Sequence, residues 1–261
     1  MTEPTNGNSA RGAQGYDIAG MVVALCSPTY GPVDPICAKS LRAAVMFAAN
    51  RGVKWAGDSS PDKMGYGAAR NTGVQHVLRT VPDAHGIMWV DSDIEVGIDK
   101  IARLLDTANH GGYDFVSGVY HQRTGYHNPV FHGWSDEKQC FQPAQDYPPN
   151  TVGMADGCGF GFVYTSMRML RDISLSEKFE ARSGWFPDKR DVGGFGEDLT
   201  FCWLAKQAGY QLYVDSGVQV GHLGDACFVY EADFRRKQKE WYEDMKEQEI
   251  PTWGIPTSKS S

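Results

Sequence analysis

An apolar run that ends in two acidic residues constrains this chain more than any other feature. The segment Gly86–Val90 is apolar throughout and predicts a buried strand, and Asp91-Ser92-Asp93 follows it directly. Divalent cations of the hard type take oxygen ligands and usually keep ligand phosphates in their shell. One carboxylate of such a pair can therefore serve a metal while the other serves a sugar, a ribose or a bound water. A solvated turn whose acids cap a helix is the simpler alternative.

Strands and helices alternate through the first half of the chain. Apolar strands are predicted near 21–25, 53–56, 86–90 and 113–119, with helices over 34–51, 67–79 and 99–108 between them. This alternation predicts an α/β fold with a mixed, mostly parallel sheet flanked by helices in a single domain. Such sheets bind ligands at the carboxyl ends of their strands. Both Pro28-Thr29-Tyr30 and the Asp91–Asp93 segment follow strands in this way.

The second half is less regular. Residues 120–156 are rich in His, Pro, Gly and aromatic residues, and we expect loops around an open site. Further on, the pattern predicts a strand at 160–164, a helix at 166–173, a helix at 197–208, strands over 211–220 and a charged helix at 231–249. The predicted organisation is a flexible tail over 1–18, one domain over 19–230, and a C-terminal helix and tail over 231–261.

Two later segments carry further candidate side chains. Glu197 and Asp198 follow Gly196 and open a predicted helix, where acids act as simple caps or as a general base. We expect the helix dipole to lower the pKa of Asp198, and we expect the two side chains to serve different partners. His222 follows the apolar strand that ends at Val220, and a neutral imidazole there is either structural or a metal ligand.

Small residues also lead into a helix that carries an arginine. In the segment 65–73, Arg70 falls in the first helical turn. A helix N-terminus together with a guanidinium suits a phosphate group, and an ion pair with a nearby carboxylate is the alternative.

These segments come in an order that resembles a known enzyme class. The order Pro28-Thr29-Tyr30, Ala69-Arg70-Asn71, Asp91-Ser92-Asp93, Gly196-Glu197-Asp198 and His222 resembles the GT-A glycosyltransferases, especially the large inverting family with PTYN-like, ARN, DxD and ED motifs. The resemblance spans about residues 20–225. It implies a GT-A (Rossmann-like) fold.

The resemblance also implies a role for each matching residue. Pro28, Thr29 and Tyr30 would line the nucleotide base, Asp58 would lie near the base or ribose, Arg70 would approach the diphosphate, Asp91 and the adjoining Ser92 would face the ribose or sugar, Asp93 and His222 would ligate Mn²⁺ or Mg²⁺, and Asp198 would be the base, with Glu197 beside it. The loop 57–64 lacks the usual tandem acidic pair, which weakens the assignment of Asp58.

The function implied is metal-dependent transfer of a sugar from a nucleoside-diphosphate sugar, uridine-linked by the resemblance, to an acceptor hydroxyl with inversion. The segment 87–95 also resembles a retaining mannosyltransferase family, so retention stays open, as does a non-catalytic nucleotide-sugar-binding module. A nucleotidylyltransferase would carry a basic, Gly-rich loop after its first strand, whereas residues 27–34 contain no Lys or Arg.

Composition narrows the partners. The net charge of −7 disfavours a protein that holds duplex DNA on a basic face. No apolar run approaches the roughly 20 residues of a membrane span, and the polar first 18 residues lack a signal sequence, so we expect a cytoplasmic enzyme. The sequence contains no CxxC pair, so it gives no sign of a structural zinc site, and we expect the cysteines to be reduced thiols. The acceptor (protein, glycan, small molecule or modified nucleobase) and the oligomeric state stay open.

Overall fold

The structure is a computed structural model, and it describes residues 15–189, 194–224 and 227–247. The strands are β1 (Val22–Cys26), β2 (Lys54–Ser59), β3 (Gly86–Val90), β4 (Ile94–Glu95), β5 (Phe115–Val119), β6 (Phe131–Ser135), β7 (Cys140–Pro143), β8 (Val152–Ala155), β9 (Gly157–Cys158), β10 (Phe162–Ser166), β11 (Leu212–Gln219), β12 (Gly221–Leu223) and β13 (Phe228–Val229). The helices are α1 (Pro35–Ala49), α2 (Tyr66–Thr80), α3 (Lys100–Gly111), α4 (Met167–Leu175), α5 (Glu197–Gln207) and α6 (Glu231–Glu247).

Local sequence signals account for the helix ends. Pro35 stands in the first turn of α1, and the Asp34 carboxylate accepts a hydrogen bond from the Ile36 amide, which caps the helix. At the C-terminal end of a different helix, α3, Gly112 adopts a left-handed conformation with φ of 62°. Glycine takes this conformation without a steric penalty, so the chain turns there into β5.

A seven-stranded sheet in the order β2-β1-β3-β10-β5-β11-β8 forms the centre of the molecule. In the described chain, five of these strands run in one direction, and β10 and β8 run against them. The predicted fold class, a mixed and mostly parallel sheet flanked by helices, is confirmed. Because β10 is antiparallel to β3, with Phe162 opposite Val90, the start of β10 lies beside the end of β3.

Alternate strand residues bury against two different helix layers. Trp89 packs in one cluster with residues of α2, α4 and α5, whereas its neighbour Met88 packs in the other with residues of α1 and α3. Successive strand side chains point to opposite faces, so the sheet is covered on both sides. The predicted tail falls mostly on residues 1–14, outside the described part, but Ile18 is fully buried, so the packed domain begins before residue 19.

The expectation that residues 120–156 are loops is wrong in part. This segment holds the β6–β7 hairpin and β8, and β8 pairs with β11, where Ala155 lies opposite Leu212. These strands are short and mostly half-exposed, so they lack the apolar run or the strict alternation that marks a strand in a sequence. Their stability comes from pairing with distant parts of the chain.

Candidate active site

The candidate residues meet at the carboxyl edge of the central sheet. Asp91 and Asp93 leave the end of β3, Arg70 is the fifth residue of α2, and Asp198 lies in the first turn of α5. The antiparallel pairing of β10 with β3 adds the segment before β10, because the Asp91 amide donates to the Gly161 carbonyl at 2.9 Å. Chain segments far apart in sequence therefore surround one small volume.

Arg70 lies at the centre of this site and is only 2% exposed. Its Nη2 donates to both carboxylate oxygens of Asp91 at 3.1 Å, and its Nη1 lies 3.2 Å from Glu197 Oε1 and 3.0 Å from Asp198 Oδ1. Burial alone would lower the pKa of Arg70, but the three carboxylates raise it, so the guanidinium keeps its charge. One cation thus joins acids from β3 and α5.

This arrangement changes two expectations for the cluster. Arg70 was expected to approach a diphosphate, yet three carboxylates surround its buried guanidinium, so in this structure it holds acids rather than facing an open anion site. Glu197 and Asp198 were expected to serve different partners, yet both pair with Arg70. The angle of about 100° between successive helical side chains did not separate them, because Nη1 of Arg70 lies within 3.2 Å of both carboxylates.

Asp198 has the environment of a base that works near neutral pH. Burial raises the pKa of Asp198 to about 7; Arg70 opposes the shift, and the charges of Glu197 and Asp91 add to it. The expectation that the helix dipole lowers this pKa is therefore wrong, because desolvation and like charge outweigh the dipole. The Phe160 amide donates to Asp198 Oδ2 at 3.1 Å, which fixes the carboxylate. Burial likewise raises the pKa of Asp91, which Arg70 partly offsets.

A second group of side chains surrounds Asp93. His222 Nε2 lies 3.5 Å from Asp93 Oδ2, and Arg123 Nη1 lies 3.2 Å from the same oxygen. Burial would raise the pKa of Asp93, but the hydrogen bond and charge of His222 and the charge of Arg123 lower it overall. Asp93 therefore stays ionised next to an imidazole.

The backbone of His121 fixes the imidazole of His222. His222 Nδ1 lies 2.7 Å from the His121 carbonyl oxygen, which can only accept, so this contact requires a proton on Nδ1. If a metal binds, the ring must be neutral, and Nε2, which lies 3.5 Å from Asp93 Oδ2, would then be the nitrogen that carries the lone pair. A metal-ligating histidine commonly carries this second hydrogen bond.

The chemistry of these two donors fits a divalent cation that also binds a ligand. Among residues 15–189, 194–224 and 227–247, no group of three or more His, Cys, Asp or Glu side chains is arranged to hold a metal ion. Asp93 and His222 supply one oxygen and one nitrogen donor, so the remaining positions would fall to water and to phosphate oxygens. Mg²⁺ in phosphate-transfer sites is bound in this manner, with few protein ligands.

The segment after β1 forms an open rim. Thr29 pairs by a bridge with Asp62, and its amide donates to the Pro61 carbonyl at 2.9 Å. Pro28 is buried, whereas Tyr30 is 71% exposed. Asp58 lies in β2 opposite Leu25, and its side chain is outside the described part of the structure; Ser92 is half-buried at the turn after β3.

Part of the chain matches a known protein family. Residues 50–170 match the family model described as glycosyl transferase family 2.

The protein is a glycosyltransferase.

Two solved structures are similar to this glycosyltransferase. The crystal structure of GalNAc-T7 with UDP, GalNAc and Mn²⁺ is similar with a TM-score of 0.53 and 11% identity over 90% of this chain and 52% of that one. This likeness confirms the predicted GT-A fold, and the chain spans about half the length of that relative. The crystal structure of A197 from STIV is similar with a TM-score of 0.49 and 18% identity, over 78% of this chain and 87% of that one. No curated protein matches.

The matched segment of the glycosyltransferase contains Arg70 and the Asp91–Asp93 turn and ends before Glu197, Asp198 and His222. No helix in the described ranges has the length and apolar character to cross a membrane. The six cysteines are free thiols, of which four are buried, whereas Cys140 is half-buried and Cys227 is exposed.

Tyr120 contributes to the site of the glycosyltransferase, although the sequence pattern gave it no individual role beyond its place in an aromatic-rich stretch. Its hydroxyl accepts from the Gly161 amide at 2.9 Å, and its ring stands edge-on to His222 with centroids 5.3 Å apart. A Cβ at Gly159 would lie 2.3 Å from the Tyr120 hydroxyl, so only glycine fits beneath this ring. The spaced glycines of the segment 157–161 were the available signal, since they indicate a close approach.

Asn71 was quoted within a motif but was given no role. Its Oδ1 accepts from the Trp185 amide at 2.8 Å and the Phe186 amide at 3.1 Å, and its Nδ2 donates to the Ser183 carbonyl. These bonds tie the loop before α5 to α2. Phe186 then packs against Trp89, with ring centroids 5.6 Å apart, beneath the acidic cluster.

Proposed function

We propose that this glycosyltransferase is metal-dependent and moves a sugar from a uridine-diphosphate sugar to an acceptor hydroxyl with inversion, and that Asp198 is the general base. The observation that carries the proposal is the position of Asp198. It is a carboxylate at the start of α5, fixed by one backbone amide, with a pKa raised to about 7 by burial. A general base is most effective when its pKa lies near the working pH.

The proposed step is a single displacement. The acceptor oxygen bonds to the anomeric carbon while its proton passes to an oxygen of Asp198, and the bond from the anomeric carbon to the phosphate oxygen breaks. The electron pair of that bond leaves with the nucleoside diphosphate. Asp198 Oδ1 is the oxygen proposed to take the proton, because it accepts no aligned hydrogen bond, although it lies in ion-pair contact with Arg70. Oδ2 is held by the Phe160 amide.

Asp93 and His222 are the proposed ligands for Mn²⁺ or Mg²⁺. A cation bound there would neutralise charge on the departing diphosphate. The donor pair described above supports this assignment, as does the similar GalNAc-T7 structure, which contains UDP and Mn²⁺. The lowered pKa of Asp93 keeps this carboxylate ionised, as ligation requires, and His222 would ligate as the neutral ring through Nε2.

The donor is proposed to lie along the rim of the first two strands. Pro28, Thr29 and the exposed ring of Tyr30 would contact the base, and Asp58 with Ser92 would lie nearer the ribose. Asp91 would orient towards the donor from its bidentate contact with Arg70. In this proposal, Arg70 is a positioning residue for the acids, and Glu197 shares that contact.

Substitution of Asp198 tests the proposal. Asp198→Asn keeps the size of the side chain but cannot accept a proton, so turnover should fall by roughly 10²–10⁴-fold. Binding of UDP in the presence of Mn²⁺, measured by calorimetry, should stay within about twofold, because the proposed metal ligands are elsewhere. Asp83→Asn is the matched control, since Asp83 is exposed and precedes β3 at the other end of the sheet.

The product gives the second readout. NMR of the product made by the wild type should show the anomeric configuration opposite to that of the donor. Near-normal turnover in Asp198→Asn would remove the base assignment. A retained configuration would instead support the retaining reaction, and UDP binding without any transfer across a broad acceptor panel would support a binding module.

A further inference from the structure

A hollow of about 440 Å³ lies at the opposite edge of the sheet from the acidic cluster. Three half-buried tyrosines line it, together with the charged pair Asp114 and Arg168. Tyr113 and Asp114 precede β5, and Tyr210 and Tyr213 flank the start of β11, so the hollow sits at the amino ends of these two strands. We call it the tyrosine hollow.

The rings of the tyrosine hollow are held in place by contacts of their own. Tyr113 and Tyr213 stack with centroids 3.9 Å apart, and the guanidinium of Arg168 lies 6.0 Å from the centre of the Tyr210 ring. Arg168 pairs with Asp114, and the Tyr210 hydroxyl donates to Asp172. The aromatic wall is therefore formed before any ligand arrives, which reduces the entropy lost on binding.

Two helices end at the tyrosine hollow. The C-terminus of α3 reaches it at Gly111 and Gly112, and the C-terminus of α5 reaches it at Ala208 and Gly209. A Cβ added at Gly112 or Gly209 would meet nothing within 4 Å, so the backbone there faces open space. Helix C-termini carry partial negative charge from their last carbonyl groups. Together with Asp114 and Asp172, they disfavour an anion despite the presence of Arg168.

These features together point to a neutral ligand with hydroxyl donors and a C–H face. Tyrosine rings offer an apolar face with a polar edge, and carbonyl and carboxylate oxygens accept from hydroxyl groups. A sugar ring presents C–H groups on its faces and hydroxyls at its edge. We propose that the tyrosine hollow binds a neutral saccharide unit at a second site, separate from the donor site. The proposal does not depend on the metal or on the role of Asp198.

A small cation is the competing ligand, because helix C-termini and aromatic faces also attract positive charge. Arg168 already occupies this role over Tyr210, and its fixed charge repels a second cation. The structure therefore favours the saccharide.

Saturation-transfer NMR on the full chain tests the proposal. The probes are methyl β-glucoside, methyl β-galactoside, cellobiose and chitobiose, with methyl phosphate and tetramethylammonium as charged comparisons whose methyl protons are observable. We expect at least one sugar to bind with a Kd of about 1–10 mM, as is reasonable for one small open site. Excess UDP with Mn²⁺ should not displace it.

Two variants locate the binding. Tyr210→Ala removes one ring and should weaken sugar binding about 3–10-fold, the range expected for one aromatic contact. Ala208→Trp should block the tyrosine hollow with a bulky side chain from the end of α5, which guards against a local effect of losing the Tyr210–Asp172 bond. Tyr126→Ala, at an exposed tyrosine elsewhere, is the matched control.

The outcomes separate clearly. Sugar signals that weaken in both hollow variants, but persist with Tyr126→Ala and with UDP and Mn²⁺, support the second site. The proposal is overturned if no sugar binds, if the signals survive both variants, if UDP competes, or if methyl phosphate or tetramethylammonium binds in place of sugar. None of these results bears on whether Asp198→Asn loses turnover.

Discussion

At the scale of single residues, the main feature is one arginine that contacts three acidic side chains. When ionised, Asp91, Glu197 and Asp198 carry three negative charges against the one positive charge of Arg70. Burial is the main reason why the pKa values of Asp91 and Asp198 rise although each carboxylate contacts a guanidinium, and the charges of Glu197 and Asp91 add to the rise at Asp198. A point-like ammonium could not reproduce these contacts, because the guanidinium uses two different nitrogens to reach them.

The pH dependence of turnover follows from the pKa of Asp198. A general base acts only when deprotonated, and the pKa of Asp198 is raised to about 7. We therefore expect kcat to rise about tenfold per pH unit below pH 6 and to level off above pH 8. A pH–rate profile at saturating donor and Mn²⁺ measures this. A profile that is flat from pH 5 to 8 would contradict the assignment, with the stability of the protein over that range as the control.

The same pKa predicts a stability effect of opposite sign to the loss of activity. Because the folded protein holds a proton on Asp198 more tightly than the unfolded chain does, protonation of Asp198 stabilises the fold. This contribution to the free energy of unfolding is complete below the ordinary pKa near 4 and is lost as pH rises through about 7. Asp198→Asn cannot ionise and should be more stable than the wild type at pH 8.5, by about 1–2 kcal/mol, less than the full shift implies because Arg70 loses an anionic partner.

Thermal unfolding at two pH values tests this effect. The difference in Tm between Asp198→Asn and the wild type should be larger at pH 8.5 than at pH 5.5. Asp83→Asn should show no such trend. A variant less stable than the wild type at pH 8.5 would mean that the Arg70 contact outweighs the desolvation of the carboxylate.

At the scale of elements, helix α6 supports the proposed metal histidine from outside the sheet. Phe234 of α6 is 1% exposed and stacks on His121, with centroids 5.1 Å apart. The carbonyl of His121 in turn accepts from His222. Arg235 anchors the helix through the Tyr147 carbonyl, to which its Nη2 donates at 3.1 Å. The C-terminal helix thus packs behind the residue that orients the imidazole.

Removal of the Phe234 ring should loosen this support. Phe234→Ala should lower stability by about 3–5 kcal/mol, as for other buried aromatic residues. It should also weaken Mn²⁺ binding about tenfold, since contacts behind a ligand tune its affinity by such factors. Electron paramagnetic resonance of free Mn²⁺ in the presence of UDP measures the affinity. Leu170→Ala, fully buried in α4, should lose stability while keeping Mn²⁺ affinity; equal affinity in both variants would contradict the support role.

Elements whose signals are local were predictable from the sequence. The Asp34 cap with Pro35 and the apolar run before Asp91 can each be recognised from a few adjacent residues. The partners of Arg70 do not, because Asp91 lies 21 residues away and Glu197 lies 127 residues away. The sequence pattern assigned Asp91 to a strand end and Arg70 and Glu197 to helix starts, but the contacts among them depend on how the helices pack.

At the scale of the whole molecule, donor binding should stabilise the fold. A ligand at about 100 times its Kd adds about 2.7 kcal/mol, which for a chain of this size raises Tm by about 5–10 °C. UDP with Mn²⁺ should produce this shift in the wild type. Asp93→Ala should abolish it, because the proposed cation loses its carboxylate.

Differential scanning fluorimetry with and without EDTA measures this shift. EDTA should remove it in the wild type, and Asp83→Asn should keep it. An unchanged shift in EDTA, or in Asp93→Ala, would show that UDP binds without the cation and would count against metal dependence.

The acid cluster around Arg70 has a consequence for directed evolution. Any replacement that removes one of its surplus charges relieves repulsion in the empty enzyme, whatever it does to turnover. A library sorted for heat resistance alone would therefore enrich inactive clones at these positions, and the enrichment would be strongest in alkaline medium. A selection that aims at a stable and active enzyme needs a screen for activity in every round, or must keep the codons of Arg70 and its three acidic partners fixed.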